Sequence, residues 1–210
     1  MMKFTDTQID RLRTEVGKRL SQKRFSHTLG VENMAAHIGL KVMPESVNEL
    51  RAAALLHDIS KEYSEAEYLA LMKKYNIDLT EWEIDQPALW HSMTAAAVIK
   101  EKFPEYASDD VLSAVYNHTV GSEDMSIFDE IILLSDYIEE GRRYPACVGL
   151  RLEFLSELDL AKDVDEAVLA LHRAVVKSLN NNINEFVSKG LRYHYRTELT
   201  RDAILKKIER

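Results

Sequence analysis

The stretch ALLHDISKEYS, residues 54 to 64, brings an apolar run to an end at His57 and Asp58. The residues just before this pair, Leu55 and Leu56 among them, are typical of a helix that packs into a protein core. A carboxylate moved from water into a core is strongly destabilising unless it pairs with a cation or binds a metal ion. The pair therefore predicts a buried ion pair or a metal site, and the rest of the chain must supply the partner.

Apolar residues recur at helical spacing on both sides of this stretch. Two amphipathic helices are predicted before it, with apolar faces formed by Ile9, Leu12, Val16 and Leu20 and by Val31, Met34, Ala35 and Ile38. Gly39 is expected to end the second of these helices. Two more helices are expected near the carboxyl end, over about residues 164–187 and 200–208. Because no run has a period of two, the sequence predicts an all-α fold.

Helix-start signals mark the middle of the chain. Ser64, with Glu67 three residues later, forms a predicted capping box for a helix through Tyr75. Ser108 and Ser126 are predicted N-caps of the two helices that follow them. Two prolines delimit the helix ALWHSMTAAAVIKEKF, with Pro87 near its start and Pro104 just beyond its end.

Composition narrows the class of protein. A chain of 210 residues with 46% hydrophobic residues fits one large domain with a real core. The net charge of −8 argues against a general nucleic-acid binder but not against a small phosphorylated ligand, because a metal ion can supply local positive charge. Cys147 is the single cysteine, the amino terminus has no signal-peptide pattern, and no apolar run is long enough for a membrane span. We therefore expect a cytoplasmic protein with no nucleic-acid or membrane partner.

Six side chains that can bind metal ions occupy apolar positions in this helical pattern. They are His27, His57, Asp58, His91, His118 and Asp136. Imidazole and carboxylate ligands together suit transition metals better than magnesium or calcium. Six ligands exceed the needs of one catalytic ion and fit two ions. Adjacent residues of a helix point about 100° apart, so we expect Asp58 to bridge the two ions while His57 binds only one.

Each of these residues also has an ordinary structural explanation. A single histidine on an apolar face is more often a hydrogen-bonded core residue than a ligand. Asp58 could cap a helix, and Asp136 could pair with an arginine. The joint pattern favours the metal site over these separate explanations. Three further histidines, His37, His172 and His194, fall outside the pattern, and we expect them to be structural or exposed.

The order of these residues resembles the H…HD…H…H…D pattern of the HD-domain metal-dependent phosphohydrolases. Four segments are similar to the YqeK branch of that family, whose members are symmetrical bis(5′-nucleosyl)-tetraphosphatases: KRFSHTLGV at 23–31, LLHDISK at 55–61, NHTVGSEDMS at 117–126 and LSDYIEEGRRYP at 134–145. The resemblance implies an HD-domain helical bundle with additional carboxy-terminal helices. It implies a single domain over residues 1–210, with a metal-site core at about 20–146 and an extension at about 147–210.

The resemblance also carries the six-ligand set over, position by position. It implies that the two ions are iron, with manganese or cobalt as alternatives. One departure from the family is visible, because Ser92 and Met93 follow His91 where the family tends to have glycine and proline. The backbone freedom of that glycine is lost, which bears on the shape of the pocket wall. The oligomeric state is left open, a homodimer included.

Three basic residues are candidate phosphate contacts. Lys61 lies three residues after Asp58, so in a continuing helix it would project to the same side. A solvated lysine near a helix end explains it equally well. Arg24 and Arg142 match basic positions of the family, and a guanidinium suits phosphate oxygens. Ion pairing at the surface is the competing explanation for both arginines.

The expected reaction is hydrolysis of a phosphoanhydride at the two-metal site. Two ions that share Asp58 would activate a bridging water as hydroxide, while a metal ion and Lys61 offset the charge on the phosphate oxygens. A nucleotide such as diadenosine tetraphosphate would then give two nucleoside diphosphates. Two alternatives stay open. One is another HD phosphohydrolase, acting on guanosine alarmones or deoxynucleotides, and the other is a noncatalytic metal or nucleotide sensor.

Overall fold

The computed structural model describes residues 4–209, which form eleven α-helices and, within that range, no β-strand. The prediction of an all-α fold is confirmed. The helices are α1 (Asp6–Gly17), α2 (Gln22–Val42), α3 (Val47–Leu56), α4 (Glu65–Tyr75), α5 (Glu81–Ile84), α6 (Trp90–Lys102), α7 (Asp109–Asn117), α8 (Ile127–Ile138), α9 (Pro145–Leu160), α10 (Val164–Ser188) and α11 (Tyr195–Ile208).

The predicted serine caps are confirmed. Ser64 and Ser126 each accept a hydrogen bond from the backbone three residues on and form capping boxes at the starts of α4 and α8. Ser108 caps α7 by accepting from the backbone N–H of Val111. The two prolines begin short 3₁₀ turns on either side of α6, at Pro87–Leu89 and Pro104–Tyr106. A proline suits the first position of such a turn because its missing N–H would have no partner there.

Two helix boundaries and one whole helix differ from the sequence predictions. Gly39 does not end α2, which runs on to Val42. A Cβ atom at Gly39 would come within 2.6 Å of Leu50 Cδ1, so the glycine instead lets α2 approach α3 closely. α11 begins at Tyr195, five residues before the expected start. The pattern also does not mark α9, because exposed Leu152 and Leu160 blur the spacing of its buried residues.

The main hydrophobic core runs through the bundle from Phe4 to Ile204, and a second, smaller cluster of Tyr68, Met72, Trp90 and Met93 joins α4 to α6. α3 lies at the centre of the main core, packed against α1, α2, α7 and α8, and its last residues are fully buried. α10 packs on α2, α8, α9 and α11, so the carboxy-terminal helices share this core. Because α3 ends in the interior, the next two residues, His57 and Asp58, are delivered to the middle of the molecule. None of the helices described between residues 4 and 209 has the length and apolar character to cross a membrane.

Candidate metal centre

The structure brings the six predicted ligands together from five helices. His27 lies on α2, His91 in the first turn of α6 and Asp136 on α8. The other three follow helix ends, with His57 and Asp58 just after α3 and His118 just after α7. Because α3 stops at Leu56, the His-Asp pair lies in a turn rather than in a regular helix, and both side chains reach the same centre.

The carboxylate of Asp58 lies between two groups of imidazoles. Its Oδ1 atom is 3.3 Å from His91 Nε2 and 3.8 Å from His118 Nε2. Its Oδ2 atom is 3.4 Å from His57 Nε2 and 3.8 Å from His27 Nε2. One oxygen therefore faces each group, which is the arrangement that a bridging carboxylate needs.

Asp136 completes the group around His27 and His57. Its Oδ1 atom lies 3.0 Å from His27 Nε2 and 4.0 Å from His57 Nε2. In each of the two sets His27–His57–Asp136 and His57–Asp58–His118, the ligand atoms all lie within 4.8 Å of one another. The centre therefore offers two adjacent clusters of nitrogen and oxygen ligands.

The four imidazoles are oriented from behind by hydrogen bonds at Nδ1. Three of them donate to the carbonyl oxygen three residues earlier: His57 to Ala54 at 2.6 Å, His91 to Ala88 at 2.7 Å and His118 to Val115 at 2.7 Å. The fourth, His27, donates to Glu139 Oε1 at 3.1 Å. Such bonds fix the tautomer of a metal-binding histidine. The Nε2 atom of each ring therefore points toward the centre.

These Nε2 atoms fit a metal ion better than they fit one another. His91 Nε2 and His118 Nε2 lie 3.1 Å apart with both Nδ1 atoms donating, so two lone pairs face each other, and the ammonium of Lys61 lies 3.1 Å from the one on His91. Among the residues described, the buried Nε2 atoms of His27 and His57 make no well-directed hydrogen bond, although carboxylate oxygens lie 3.0 and 3.4 Å away. A buried polar atom without a partner is costly. A shared cation satisfies all four nitrogens, so the residues fit divalent metal binding.

The pKa shifts agree with a cation site. Burial lowers the pKa of His91 far below its ordinary value and that of His118 to about 4, which leaves both rings neutral. Burial opposes ionisation of Asp58, but the imidazole of His57 beside its carboxylate holds the pKa of that carboxyl well below the usual range. Burial also lowers the pKa of His27, but the carboxylates of Asp136 and Glu139 beside the ring outweigh it and raise that pKa to about 9, so a metal ion at this position would replace the proton on Nε2. Negative charge is therefore retained at the centre at neutral pH.

The three predicted phosphate-binding residues lie at the rim of this centre. Arg24 donates to Asp58 Oδ2 at 2.7 Å, and Arg142 donates to Asp136 Oδ1 at 2.7 Å. The two arginines do form ion pairs, but their partners are carboxylates of the centre and not surface groups. Lys61 Nζ lies 3.1 Å from both ring nitrogens of His91, and burial lowers its pKa. Lys61 reaches the side of Asp58 from a turn over residues 57–62 and not from a continuing helix.

Glu139 belongs to the site although the sequence analysis gave it no role. The residue is 3% exposed, and its carboxylate accepts the Nδ1–H of His27 and the backbone N–H of Gly141. A Cβ atom at Gly30 would come within 2.4 Å of Glu139 Oε2, so the glycine makes room for this carboxylate. Its position three residues after Asp136 in the segment LSDYIEEGRRYP was the available signal.

The remaining histidines and Ser92 lie outside the six candidate ligands, in exposed or structural positions. His37 is exposed, and His172 is buried against Glu130 Oε2 at 2.7 Å. His194 is buried as the N-cap of α11. Ser92 is helical and donates its hydroxyl to the carbonyl oxygen of Leu89 at 2.9 Å, so this wall needs no glycine-like backbone.

Comparison with known proteins agrees with this geometry. The symmetrical bis(5′-nucleosyl)-tetraphosphatase of Bacillus subtilis is 26% identical over 175 residues, covering 83% of this chain and 86% of that protein. The protein of the same name from Halalkalibacterium halodurans is 27% identical over 179 residues, covering 83% and 85%. A crystal structure from Clostridium acetobutylicum, described as a "predicted HD superfamily hydrolase involved in NAD metabolism", superposes with a TM-score of 0.79 at 26% identity, covering 94% of this chain and 97% of that one. The HD domain model matches residues 24–141, more than half of the chain, and the chain therefore belongs to the HD domain family.

Proposed function

We propose that this chain hydrolyses dinucleoside tetraphosphates, such as diadenosine tetraphosphate, symmetrically to two nucleoside diphosphates. The observation that carries the proposal is the Asp58 carboxylate between two imidazole groups, with Arg24, Lys61 and Arg142 at the rim. The names of the two tetraphosphatase relatives support the same reaction and substrate.

We further propose that the centre holds two iron ions, with manganese or cobalt as alternatives. The six ligands would be His27, His57, Asp58, His91, His118 and Asp136, and their mixture of imidazole and carboxylate suits such metals. When bound, two ions at such a centre supply Lewis acidity and activate a water molecule at neutral pH.

The residues of the chain orient the substrate around this centre. Arg24 and Arg142 each use one donor on a ligand carboxylate and have further N–H groups for phosphate oxygens. Their side chains are 29% and 35% exposed, so a substrate can reach them. Lys61 adds a third positive charge beside His91 and would offset charge that develops on phosphate oxygens.

Product analysis tests the proposal. Purified protein loaded with metal is incubated with diadenosine tetraphosphate, and an early time point is separated by chromatography. ADP should be the sole nucleotide product, because attack beside the central bridging oxygen releases a nucleoside diphosphate. AMP plus ATP would refute symmetrical cleavage. Rapid hydrolysis of a guanosine alarmone or a deoxynucleotide instead would favour another HD phosphohydrolase, and metal binding without any turnover would favour a sensor.

A further inference from the structure

A cavity of about 680 Å³ lies between the segment before α6 and the chain that follows α10. One wall is the segment 81–89, which includes α5 and the turn before α6. The other wall is formed by Phe186 at the end of α10 and by Gly190, Leu191 and Arg192 after it. The volume is within the range of small-molecule sites in proteins.

The cavity and the metal centre share one turn of the chain. Ala88 lines the cavity, and its carbonyl oxygen accepts the Nδ1–H of His91 at 2.7 Å. In a dinucleoside tetraphosphate cleaved at its middle, only two phosphates and a ribose separate the broken bond from each base. A base of a substrate bound at the metal centre would extend toward this turn and the cavity that it lines.

The chemistry of the lining suits a nucleoside rather than a phosphate. The guanidinium carbon of Arg192 lies 4.2 Å above the ring of half-buried Trp82, and the ring of Tyr195 lies 5.9 Å from that of Trp82. Bases stack on aromatic rings and on guanidinium planes. Glu81 and Asp85 outnumber Arg192 among the charged residues described in the lining, so the cavity disfavours phosphate. Carboxylates accept hydrogen bonds from ribose hydroxyls and base amino groups.

We propose that this cavity binds one base and ribose of the dinucleotide substrate, with the base stacked on the Trp82–Arg192 pair. The identity of the ligand rests on the proposed function. The two regions then divide the substrate, with the polyphosphate at the cationic rim of the metal centre and one nucleoside in the cavity. The carboxy-terminal helices have a role in this arrangement, because the chain after α10 supplies Arg192 and one wall.

Steady-state kinetics of Trp82→Ala and Arg192→Ala test the site. Both variants should raise KM for diadenosine tetraphosphate by about 5- to 150-fold, the range expected from losing one stacking contact. Their kcat should stay within about twofold, since neither residue touches the metal ligands. Tyr75→Ala is the matched control, because Lys74 lies 4.9 Å above the ring of Tyr75 outside the cavity. Arg192 is exposed, so Arg192→Ala carries the test if Trp82→Ala does not fold.

Adenosine binding to the chelator-treated protein gives a second readout that does not depend on turnover. Adenosine should quench tryptophan fluorescence, and Trp82→Ala should abolish the quenching, because the other tryptophan, Trp90, is 4% exposed. Unchanged KM and quenching in the variants, with ADP still the product, would overturn the cavity site and leave the proposed function standing. Quenching lost in Trp82→Ala, in a protein that does not cleave diadenosine tetraphosphate, would keep the nucleoside site and overturn the proposed function.

Discussion

Each oxygen of the Asp58 carboxylate faces a different pair of histidines, at 3.3 and 3.8 Å on one side and 3.4 and 3.8 Å on the other. Neighbouring carboxylates do not duplicate this position, since Asp136 approaches only His27 and His57. Arg24 holds Oδ2 from the rim and so restricts rotation of the carboxylate. Both oxygens of Asp58 therefore face other groups of the centre. Of the six candidate ligands, Asp58 is the hardest to replace.

Substitution of Asp58 should remove turnover. Asp58→Ala should lower kcat/KM by roughly 100-fold or more, because changes even behind the metal ligands lower metal affinity or activity by about 10- to 100-fold. His37→Ala is the control, since His37 is exposed and outside the centre. Activity and metal content are measured for both variants after their folding is checked by circular dichroism. Equal losses in the two folded variants would mean that the centre is elsewhere.

Glu139 gives a second prediction at this scale, because it acts on His27 from behind. Glu139→Gln and Gly30→Ala should each lower metal affinity by roughly 10-fold. The first weakens the acceptor of His27 Nδ1, and the second places a Cβ atom 2.4 Å from Glu139 Oε2. Gly149→Ala on α9 is the matched control, since nothing lies within 4 Å of its new Cβ atom. Metal titration by calorimetry checks the three variants, and an unperturbed Gly30→Ala protein would contradict the role of Glu139.

At the scale of helices, the sequence predicted the capping interactions but not how the helices pack against one another. The serine caps were predictable because a capping box depends on residues three apart. The prediction that Gly39 ends α2 was wrong. A glycine that ends a helix and a glycine that lets Leu50 of the next helix pack closely look the same in the sequence. The sequence pattern did not predict α9, because exposed Leu152 and Leu160 interrupt the helical spacing of its buried residues.

The same limit applied to the candidate site. The gathering of the six candidate ligands was predictable because each is a polar residue at an apolar position of the helical pattern. Glu139 and the cavity beside Trp82 were not, since both depend on segments far apart in the chain. Glu139 contacts His27, which is 112 residues away in the chain. Arg192 follows α10 in the chain and contacts Trp82, which precedes α6. Local patterns do not encode such contacts.

The docking of α11 gives a pH-dependent prediction. Nδ1 of buried His194 accepts the N–H of Arg196 at 3.2 Å, and burial lowers the pKa of His194 although Glu83 opposes the shift. The unfolded chain therefore binds a proton at His194 more readily than the folded one. The free energy of unfolding should fall as pH drops below about 6.5, by at most ~1.4 kcal/mol per pH unit for this group.

His194→Asn isolates this contribution, because asparagine keeps an N-cap acceptor but does not titrate. The variant should lose less stability than the natural chain between pH 7 and pH 5.5. Urea unfolding at several pH values measures the difference, with chelator present throughout so that metal release does not enter. Parallel pH curves for the two proteins would show that His194 is not the titrating group.

At the scale of the whole molecule, the core and the metal centre join the same parts of the chain. The hydrophobic core includes residues of α9, α10 and α11, and α10 packs on both α2 and α8, which carry His27 and Asp136. The ligands come from five helices, so bound ions would connect elements spread from α2 to α8. Metal binding and folding should therefore be strongly coupled.

The last prediction follows from that coupling. Elemental analysis of the purified protein should find about two transition-metal ions per chain, with iron favoured, because six ligands of this type are available. Ions that bind only the folded state at about 100 times their dissociation constant stabilise it by ~2.7 kcal/mol per site. The thermal unfolding midpoint should therefore rise by roughly 5–10 °C per occupied site over the chelated protein, in a single transition, because the main core joins helices from α1 to α11. Asp58→Ala should lose most of this rise, whereas His37→Ala should keep it. No bound metal, together with a midpoint that iron, manganese and cobalt leave unchanged, would rule out a metal centre at these residues.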